Sequence, residues 1–168
     1  MIARSRSGTR SPPRAVPHGT LAWLAVVRAY NLCDAVLGGR LAALGLRVGE
    51  HEVLANLANG PGMTQQELAA HCFVAKSGVS MLLAQMEGLG LVTREVDASD
   101  GRVKRLFLSA TGRALAAKTL KVQDDVVGAM AAGVTPAELA AVAAVMERVC
   151  TQLDALRADV KPARSASR

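Results

Sequence analysis

Aromatic residues are nearly absent from this sequence: its 168 residues include one Trp, one Tyr and two Phe. Hydrophobic residues nevertheless make up 51% of the chain, so a core has to be built from Ala, Leu, Val and Met. Such a mixture favours packed helices over a β-sandwich or β-barrel, whose strands favour aromatic and β-branched residues. The composition therefore predicts a mainly α fold, and the length fits one domain, or one domain plus an oligomerisation element.

Cysteine and histidine are too scattered to predict a metal site. The three cysteines, Cys33, Cys72 and Cys150, form no CxxC pair and no Cys/His spacing typical of zinc ligands. Their number and spacing favour a reducing, cytoplasmic location. The chain also contains no nucleophile–base pair and no phosphate-cradling glycine loop, so we expect no catalytic residue, no metal and no cofactor.

Long hydrophobic runs are also missing, so the sequence predicts no contact with a membrane. The apolar stretch LAWLAVV is followed by Arg28 and Asp34 and by no small-residue cleavage site, so we expect no secretory signal here. The net charge of +6 permits an anionic partner such as nucleic acid. Part of this charge lies in polar ends, and we expect residues 1–16 to be a disordered basic arm and 158–168 a disordered tail.

The central stretch, residues 63–108, has the order of a winged helix-turn-helix. Thr64-Gln65-Gln66-Glu67 is a capping box that starts a short helix at Thr64. After a turn at Phe73-Val74, a second helix is predicted from residue 76 to 89. Its apolar face carries Val79, Leu82, Leu83, Met86 and Leu89. Small polar side chains on its other face suit a recognition helix in a major groove.

A β-hairpin is predicted directly after this helix. Residues 91–96 and 103–108 have strand composition, and Ala98-Ser99-Asp100-Gly101 between them is a turn signal. Basic residues lie at the tip of the hairpin or just beyond it: Arg102, Lys104 and Arg105. An arginine presented in this way suits the negative potential of a narrow minor groove, so the hairpin is interpreted as a wing.

Helices are predicted on both sides of this stretch. One runs from Pro17 to about Leu37, where Gly38-Gly39 loosens the backbone, and another from Val48 to Asn59. A further helix follows Ser109, and a last helix starts at Thr135 with a cap and a proline. The last helix carries an apolar seam at alternating three- and four-residue steps: Leu139, Val142, Met146, Val149, Leu153 and Leu156. We therefore predict an ordered domain at residues 17–157, in which 17–46 and 110–157 pair two copies of the chain.

Two segments together resemble the MarR (multiple-antibiotic-resistance regulator) family of bacterial transcription factors. GLRVGEHEVLANLANGPGMTQQELAAHCFVAKSGVSMLLAQMEGLGLVTREVD is similar to the family's helical core and helix-turn-helix, and DGRVKRLFLSATG is similar to its wing. The resemblance covers about residues 20–157. It implies a homodimer that binds a pseudo-palindromic operator in double-stranded DNA, with recognition helices in the major groove and wings in the minor groove. A cytoplasmic repressor, bound to the nucleoid when on DNA, is the expected function.

The resemblance also implies which residues contact DNA. Arg102 would be the minor-groove arginine, and Asp100 the carboxylate that holds the wing arginines. The full predicted set is Thr64, Gln65, Lys76, Ser77, Ser80, Gln85, Arg94, Asp100, Arg102 and Lys104. The chain departs from the family where Met81 and Gln85 replace cations and where Ala75 replaces a capping residue, and Arg47 replaces the usual Thr or Ser at the start of the second helix. Fewer cationic contacts should weaken the phosphate-dependent part of binding.

A small aromatic or anionic effector is expected in the crevice between the wing lobe and the dimer helices, because the family commonly binds such molecules there. Trp23, Tyr30 and His51 are the predicted lining residues, although each could equally be a core or interface side chain. Two alternatives stay open. The first is a thiol-based redox sensor that acts through Cys33. The second is a winged-helix protein-interaction module without DNA binding.

Overall fold

The computed structural model describes residues 17–72 and 76–159, and at residues 76, 77 and 159 it describes the backbone alone. The predicted arm, nearly all of the predicted tail and the Phe73-Val74 turn lie outside the described residues. The elements are α1 (His18–Ala42), α2 (Val48–Asn59), β1 (Met63–Thr64), α3 (Gln65–His71), α4 (Lys76–Gly88), β2 (Val92–Val96), β3 (Lys104–Leu108), α5 (Ala110–Met130) and α6 (Pro136–Asp159). The fold is mainly helical with a small antiparallel sheet, as predicted.

The first helix is longer than the sequence predicts, because Gly38-Gly39 does not end it. A glycine in a helix interior costs only about 1 kcal/mol relative to alanine, which packing offsets. Leu41, beyond the glycine pair, is fully buried. A Cβ on Gly38 would lie 3.5 Å from Val48 Cγ2, an ordinary contact distance, so this position faces α2 without requiring glycine. The helix ends instead before Gly45, which has a φ of 73°.

The expectation that nothing in the chain could span a membrane is wrong by length and composition. Helix α1 has 25 residues and a mean hydropathy of 1.3, and the apolar window is not buried inside the monomer. A single helix of this kind near an N-terminus is weak evidence, because helices of soluble proteins and signal sequences meet the same criterion. Arg28 and Asp34 lie within this helix, but its many Ala, Leu and Val residues keep the mean hydropathy high.

The core lies between α2, α3, α4 and the sheet, and the end of α1 and the helix α5 also contribute buried side chains. Strand order in the sheet is β1-β3-β2, with Met63 opposite Leu106 and Val92 opposite Leu108. Strand β1 has two residues and was not predicted, because so short a pairing has no periodicity. The fully buried large side chains are Leu41, Leu54, Leu57, Leu68, Leu83, Met86, Leu106, Val53, Val79 and Thr119.

Two predicted helix starts are confirmed by reciprocal hydrogen bonds. At α3, Glu67 N donates to Thr64 Oγ1 over 3.2 Å and Thr64 N donates to Glu67 Oε2 over 2.7 Å. At α6, Thr135 and Glu138 repeat the arrangement at 3.3 and 2.8 Å. In both pairs the hydrogen bonds from the threonine backbone and hydroxyl lower the pKa of the glutamate. The capping box thus identifies a helix start from sequence alone.

Apolar side chains of α1, α5 and α6 remain exposed in the monomer. The α6 seam is open along its length: Leu139, Val142, Val149, Leu153 and Leu156 are 42–62% exposed. On α1, Trp23 and Tyr30 are 61% and 62% exposed. One assignment to the buried face of α4 is wrong: Leu89 lies just beyond the helix end at Gly88 and is 61% exposed.

Gly112, in the first turn of α5, is required by close packing. A Cβ at this position would overlap the carbonyl oxygen of Leu91 and lie 3.0 Å from its carbonyl carbon. We expect Gly112→Ala to lower the free energy of unfolding by about 2 kcal/mol or more, because the backbone of Leu91 has to move. Gly39→Ala in α1 is the matched control, since a Cβ there meets nothing within 4 Å. The Gly39→Ala variant should raise the free energy of unfolding by about 0.5–1 kcal/mol. Urea unfolding at one protein concentration compares the two, and equal effects would contradict the packing role of Gly112.

Candidate nucleic-acid interface

Helix α4 presents an uncharged outward face over its described side chains. Val79, Leu83 and Met86 are fully buried on one side of the helix. The opposite side carries Ser80, Met81, Ala84 and Gln85, all exposed. Lys76 and Ser77 occupy the first turn of α4, where only their backbone is described. The amphipathic helix is therefore as predicted, with short or neutral side chains facing outward.

Gln85 is tied to helix α2 rather than left free for DNA. Its Nε2 donates to Glu50 Oε1 over 3.1 Å, and its Oε1 accepts from Arg47 Nη2 over 3.2 Å. Glu50 is 5% exposed and also accepts the backbone N–H of Arg47 at 2.8 Å. Both the oxygen and the nitrogen of the Gln85 amide thus form hydrogen bonds within the monomer. Gln85, a predicted DNA contact, therefore positions α4 against α2.

Arg47 is a cation beside α4 that was not among the predicted contacts. Its side chain is 73% exposed, although it pairs with Glu50 at 3.4 Å. The sequence shows an arginine at the start of the second helix. It does not show that this helix start lies against α4, which is what brings Arg47 to the candidate interface.

Arg94 and Gln65, both predicted DNA contacts, bond to each other and to α4. Arg94 Nε donates to Glu87 Oε2 at 2.9 Å and its Nη1 donates to Gln65 Oε1 at 3.2 Å. This group links β2, α3 and α4, so it fixes the recognition helix relative to the wing. Thr64 is likewise occupied, because its hydroxyl takes part in the α3 capping box.

The wing is held by Asp97, whereas the sequence pointed to Asp100. Asp97 accepts hydrogen bonds from the backbone N–H groups of Ser99 and Asp100 at 2.8 and 3.1 Å, from the Ser99 hydroxyl and from Arg105 Nε. These bonds, led by those from the Ser99 hydroxyl and the Arg105 guanidinium, place the pKa of Asp97 well below its usual value. Arg105 also donates from Nη1 to the Gly62 carbonyl oxygen at 3.0 Å.

Asp100 has a smaller part than predicted. Its Oδ1 accepts the backbone N–H of Arg102 at 3.0 Å, which shapes the turn but does not touch a guanidinium. The sequence favours Asp100 as the carboxylate that holds the wing arginines because it lies only two residues before Arg102. The Asp97–Arg105 pair spans the hairpin instead, with Glu95 and Arg105 opposite each other in the strand register.

Arg102 and Lys104 are the available cations of the wing. Both are exposed, and over residues 17–72 and 76–159 no hydrogen bond or ion pair engages the end of either side chain. Ser80 on α4 and Arg47 at the start of α2 are exposed as well. The structure therefore separates the predicted contact set into side chains with internal partners and a smaller group that faces solvent.

A cavity of about 210 Å³ lies between α1, α2 and α5, and two of the three predicted effector residues line it. Tyr30 and His51 are at this cavity, whereas Trp23 is not. His51 is 3% exposed, and its Nε2 lies 2.8 Å from Gln123 Oε1. Its Nδ1 is buried without a hydrogen-bond partner among the described residues. Gln123 had no distinguishing signal in the sequence.

The three cysteines are free and differ in environment. Cys33 is half-buried and lines the same cavity as His51, and Cys150 is exposed on α6. Burial, with a smaller contribution from Glu52, raises the pKa of Cys72 to about 11, which makes this thiol a poor nucleophile. Over the described part of the chain, no group of three or more His, Cys, Asp or Glu residues is arranged to hold a metal ion.

Comparison with known proteins gives a consistent result. The sequence pattern of the MarR family matches residues 44–103. The chain is 38% identical over 76 residues to the HTH-type transcriptional repressor Rv2887 of Mycobacterium tuberculosis, which is 45% of this chain and 55% of the relative. The match thus spans little more than half the length of that curated relative.

Solved structures match over more of the chain. A MarR-family transcriptional regulator from Silicibacter pomeroyi has a TM-score of 0.69 and 28% identity, over 78% of this chain and 88% of its own. Rv2887 in complex with salicylic acid has a TM-score of 0.60 and 27% identity, over 80% and 97%. The helix order, the hairpin after α4 and these matches agree: residues 44–103 carry the sequence pattern of the MarR family, and the chain has the fold of a MarR-family transcriptional regulator.

Proposed function

We propose that this protein is a transcriptional regulator that binds double-stranded DNA as a homodimer, and that it acts as a repressor on a pseudo-palindromic operator. The observation that carries the proposal is the wing with its two unengaged cations, Arg102 and Lys104, on a hairpin whose strand β2 is tied to α4 through Arg94 and Glu87. Solvent-facing cations on a hairpin suit a narrow minor groove. The neighbouring helix has the small exposed side chains that a major groove accommodates.

The dimer supplies the geometry that DNA requires. Two recognition helices read adjacent major grooves when they are about 34 Å apart, one turn of DNA. The open α6 seam and the exposed apolar side of α1 are large surfaces that an isolated monomer would leave in water. We propose that both pair with a second copy of the chain. This pairing also accounts for the apolar character of α1 without a membrane, and it accords with a cytoplasmic location.

The cavity beside His51 is the proposed effector site. It lies between α2 of the DNA-reading lobe and α5 of the proposed dimer region, so a ligand there acts where the two lobes meet. The unpartnered His51 Nδ1 offers a polar group to a hydroxyl or carboxyl, and Tyr30, Leu37 and Val48 supply apolar surface beside it. Asp34 and Glu52 also line the cavity. The relative Rv2887 was solved with salicylic acid. We propose a small aromatic acid or phenol as the effector class.

Other functions have less support. The MarR family is one of transcriptional regulators, and we propose that this chain has no catalytic activity and needs no cofactor. The redox-sensor alternative rests on Cys33 alone, which the structure places among cavity-lining residues. The protein-interaction alternative was motivated by Met81 and Gln85. Since Gln85 serves to position α4, its neutral side chain no longer argues against DNA binding.

The wing arginine provides the direct test of DNA binding. We expect Arg102→Ala to lower affinity for the operator about tenfold or more. Loss of one phosphate neutralisation in each subunit should reduce the slope of log affinity against log salt by about 2. Lys121→Ala is the matched control, because this lysine is 77% exposed and has only a 3.5 Å surface pair with Asp125. Fluorescence anisotropy across a salt series measures the affinity and the salt slope of each variant. Equal affinities and slopes for Arg102→Ala and Lys121→Ala would contradict the proposal.

The α6 seam provides the test of the dimer. Leu153 is 58% exposed in the monomer, and we expect Leu153→Glu to dissociate the dimer because two charges would be buried at the interface. Ala144→Glu introduces the same charge on the opposite side of α6 and should leave the dimer intact. Sedimentation velocity distinguishes the species. A Leu153→Glu variant that stays dimeric would refute this interface.

The effector proposal is tested with salicylate as the probe. We expect salicylate to release the wild-type protein from its operator, and His51→Phe to raise the required concentration about tenfold because a polar contact is lost. Lys121→Ala is again the control, since Lys121 is exposed and does not line the cavity. No response of the wild type would contradict an aromatic carboxylate effector. An unchanged response of His51→Phe would place the site elsewhere.

A further inference from the structure

Met81 is the most exposed large hydrophobic side chain among the described residues, at 76%. It projects from the middle of α4, on the side opposite Val79 and Leu83, which are fully buried. No core contact explains a long apolar side chain in that position, and a thioether in water gains nothing from exposure.

The location of Met81 argues against a role in pairing two copies of the chain. Most other exposed large hydrophobic side chains belong to α1, α5 and α6, the helices of the proposed dimer region. Met81 is instead on the helix-turn-helix, beside the exposed guanidinium of Arg47. The two residues line the same depression of about 350 Å³ with Gly49, Glu50, Gly78 and Leu82. Its surroundings are therefore those of the proposed DNA interface.

Hydrogen-bond readout is weak on the described part of this face. Ser80 and Ala84 have short side chains, and the Gln85 amide is occupied by Glu50 and Arg47. Met81 is the longest side chain left to enter a groove here. Its chemistry is apolar, flexible and polarisable, which suits contact with a methyl group.

Building on the proposed DNA binding, we propose that Met81 is a specificity-determining residue that reads thymine 5-methyl groups in the major groove. The 5-methyl of thymine is the only apolar group that an unmodified base pair presents there. Arg47 and the wing cations attract the phosphates and orient the helix, so the centre of the face needs no charge of its own. Contact between the thioether and the methyl group removes apolar surface of both from water.

This role has a distinct thermodynamic signature. An apolar contact displaces no counterion, so its contribution is nearly independent of salt, unlike that of Arg102. It also specifies the strand that carries thymine, because the adenine of the same pair presents an amino group and N7 instead. The operator should therefore carry a preferred thymine in each half-site where α4 lies.

The test removes single methyl groups from the DNA. Selection from random duplexes with the full-length protein first yields an operator. Each thymine is then replaced by deoxyuridine, which keeps base pairing and lacks only the methyl. We expect one or two positions per half-site at which the wild type loses about fourfold in affinity, and about fifteenfold when both half-sites are changed. The Met81→Ala variant should bind the thymine and the deoxyuridine duplexes with equal affinity at these positions.

Two further variants serve as controls. Met81→Leu keeps an apolar side chain and should retain most of the uracil penalty. Leu89→Ala removes another exposed apolar side chain, just beyond the end of α4, and should retain all of it. Equal penalties in the wild type and Met81→Ala, or no penalty at any thymine, would overturn the inference while leaving DNA binding established. Failure to select any duplex would overturn the proposed function, and the inference with it.

Discussion

The guanidinium of Arg105 joins parts of the chain that are far apart in sequence. It donates to Asp97 at the base of the wing turn and to the Gly62 carbonyl oxygen before β1. Asp97 in turn accepts the N–H groups that shape the turn. Together with the β1–β3 pairing and the bonds of Arg94, this pair fixes the hairpin relative to α3. Because it is in place, Arg102 is presented at a defined distance from the recognition helix, as preorganised binding requires.

Much of the polar chemistry at this interface is used to build it. Gln85 and Glu50 hold α4 against α2, and Arg94 bonds to Glu87 and Gln65. These groups fix orientation, and few described side chains are left to meet a ligand. The exposed groups divide by type: cations in Arg47, Arg102 and Lys104, and an apolar side chain on α4 in Met81. Phosphate contacts position a protein on DNA, whereas base contacts specify the sequence, and the arrangement follows that division.

The sequence predicted the fold well wherever a local signal exists. The capping boxes at Thr64 and Thr135 gave both helix starts, and the hairpin followed from strand composition and a turn. Strand β1 and the continuation of α1 through Gly38-Gly39 depend on tertiary packing, which no local pattern records. The site was harder for the same reason: Asp97 and Arg105 pair across a hairpin, and Gln85 meets Glu50 35 positions away in the chain. Partners of this kind are set by the fold.

The contact between Gly112 and Leu91 has a mechanical meaning. Because no side chain separates them, the first turn of α5 lies directly on the backbone that leads into β2, and Ser109 N donates to Leu91 O at 3.0 Å. Helix α5 is therefore a rigid arm whose near end is fixed to the wing. An α-helix of 21 residues is roughly 31 Å long, so a tilt of about 5° displaces one end by roughly 3 Å relative to the other. A small rotation of α5 at its far end therefore moves the wing by roughly the length of one hydrogen bond, about 3 Å, which is enough to make or break a contact with a DNA groove.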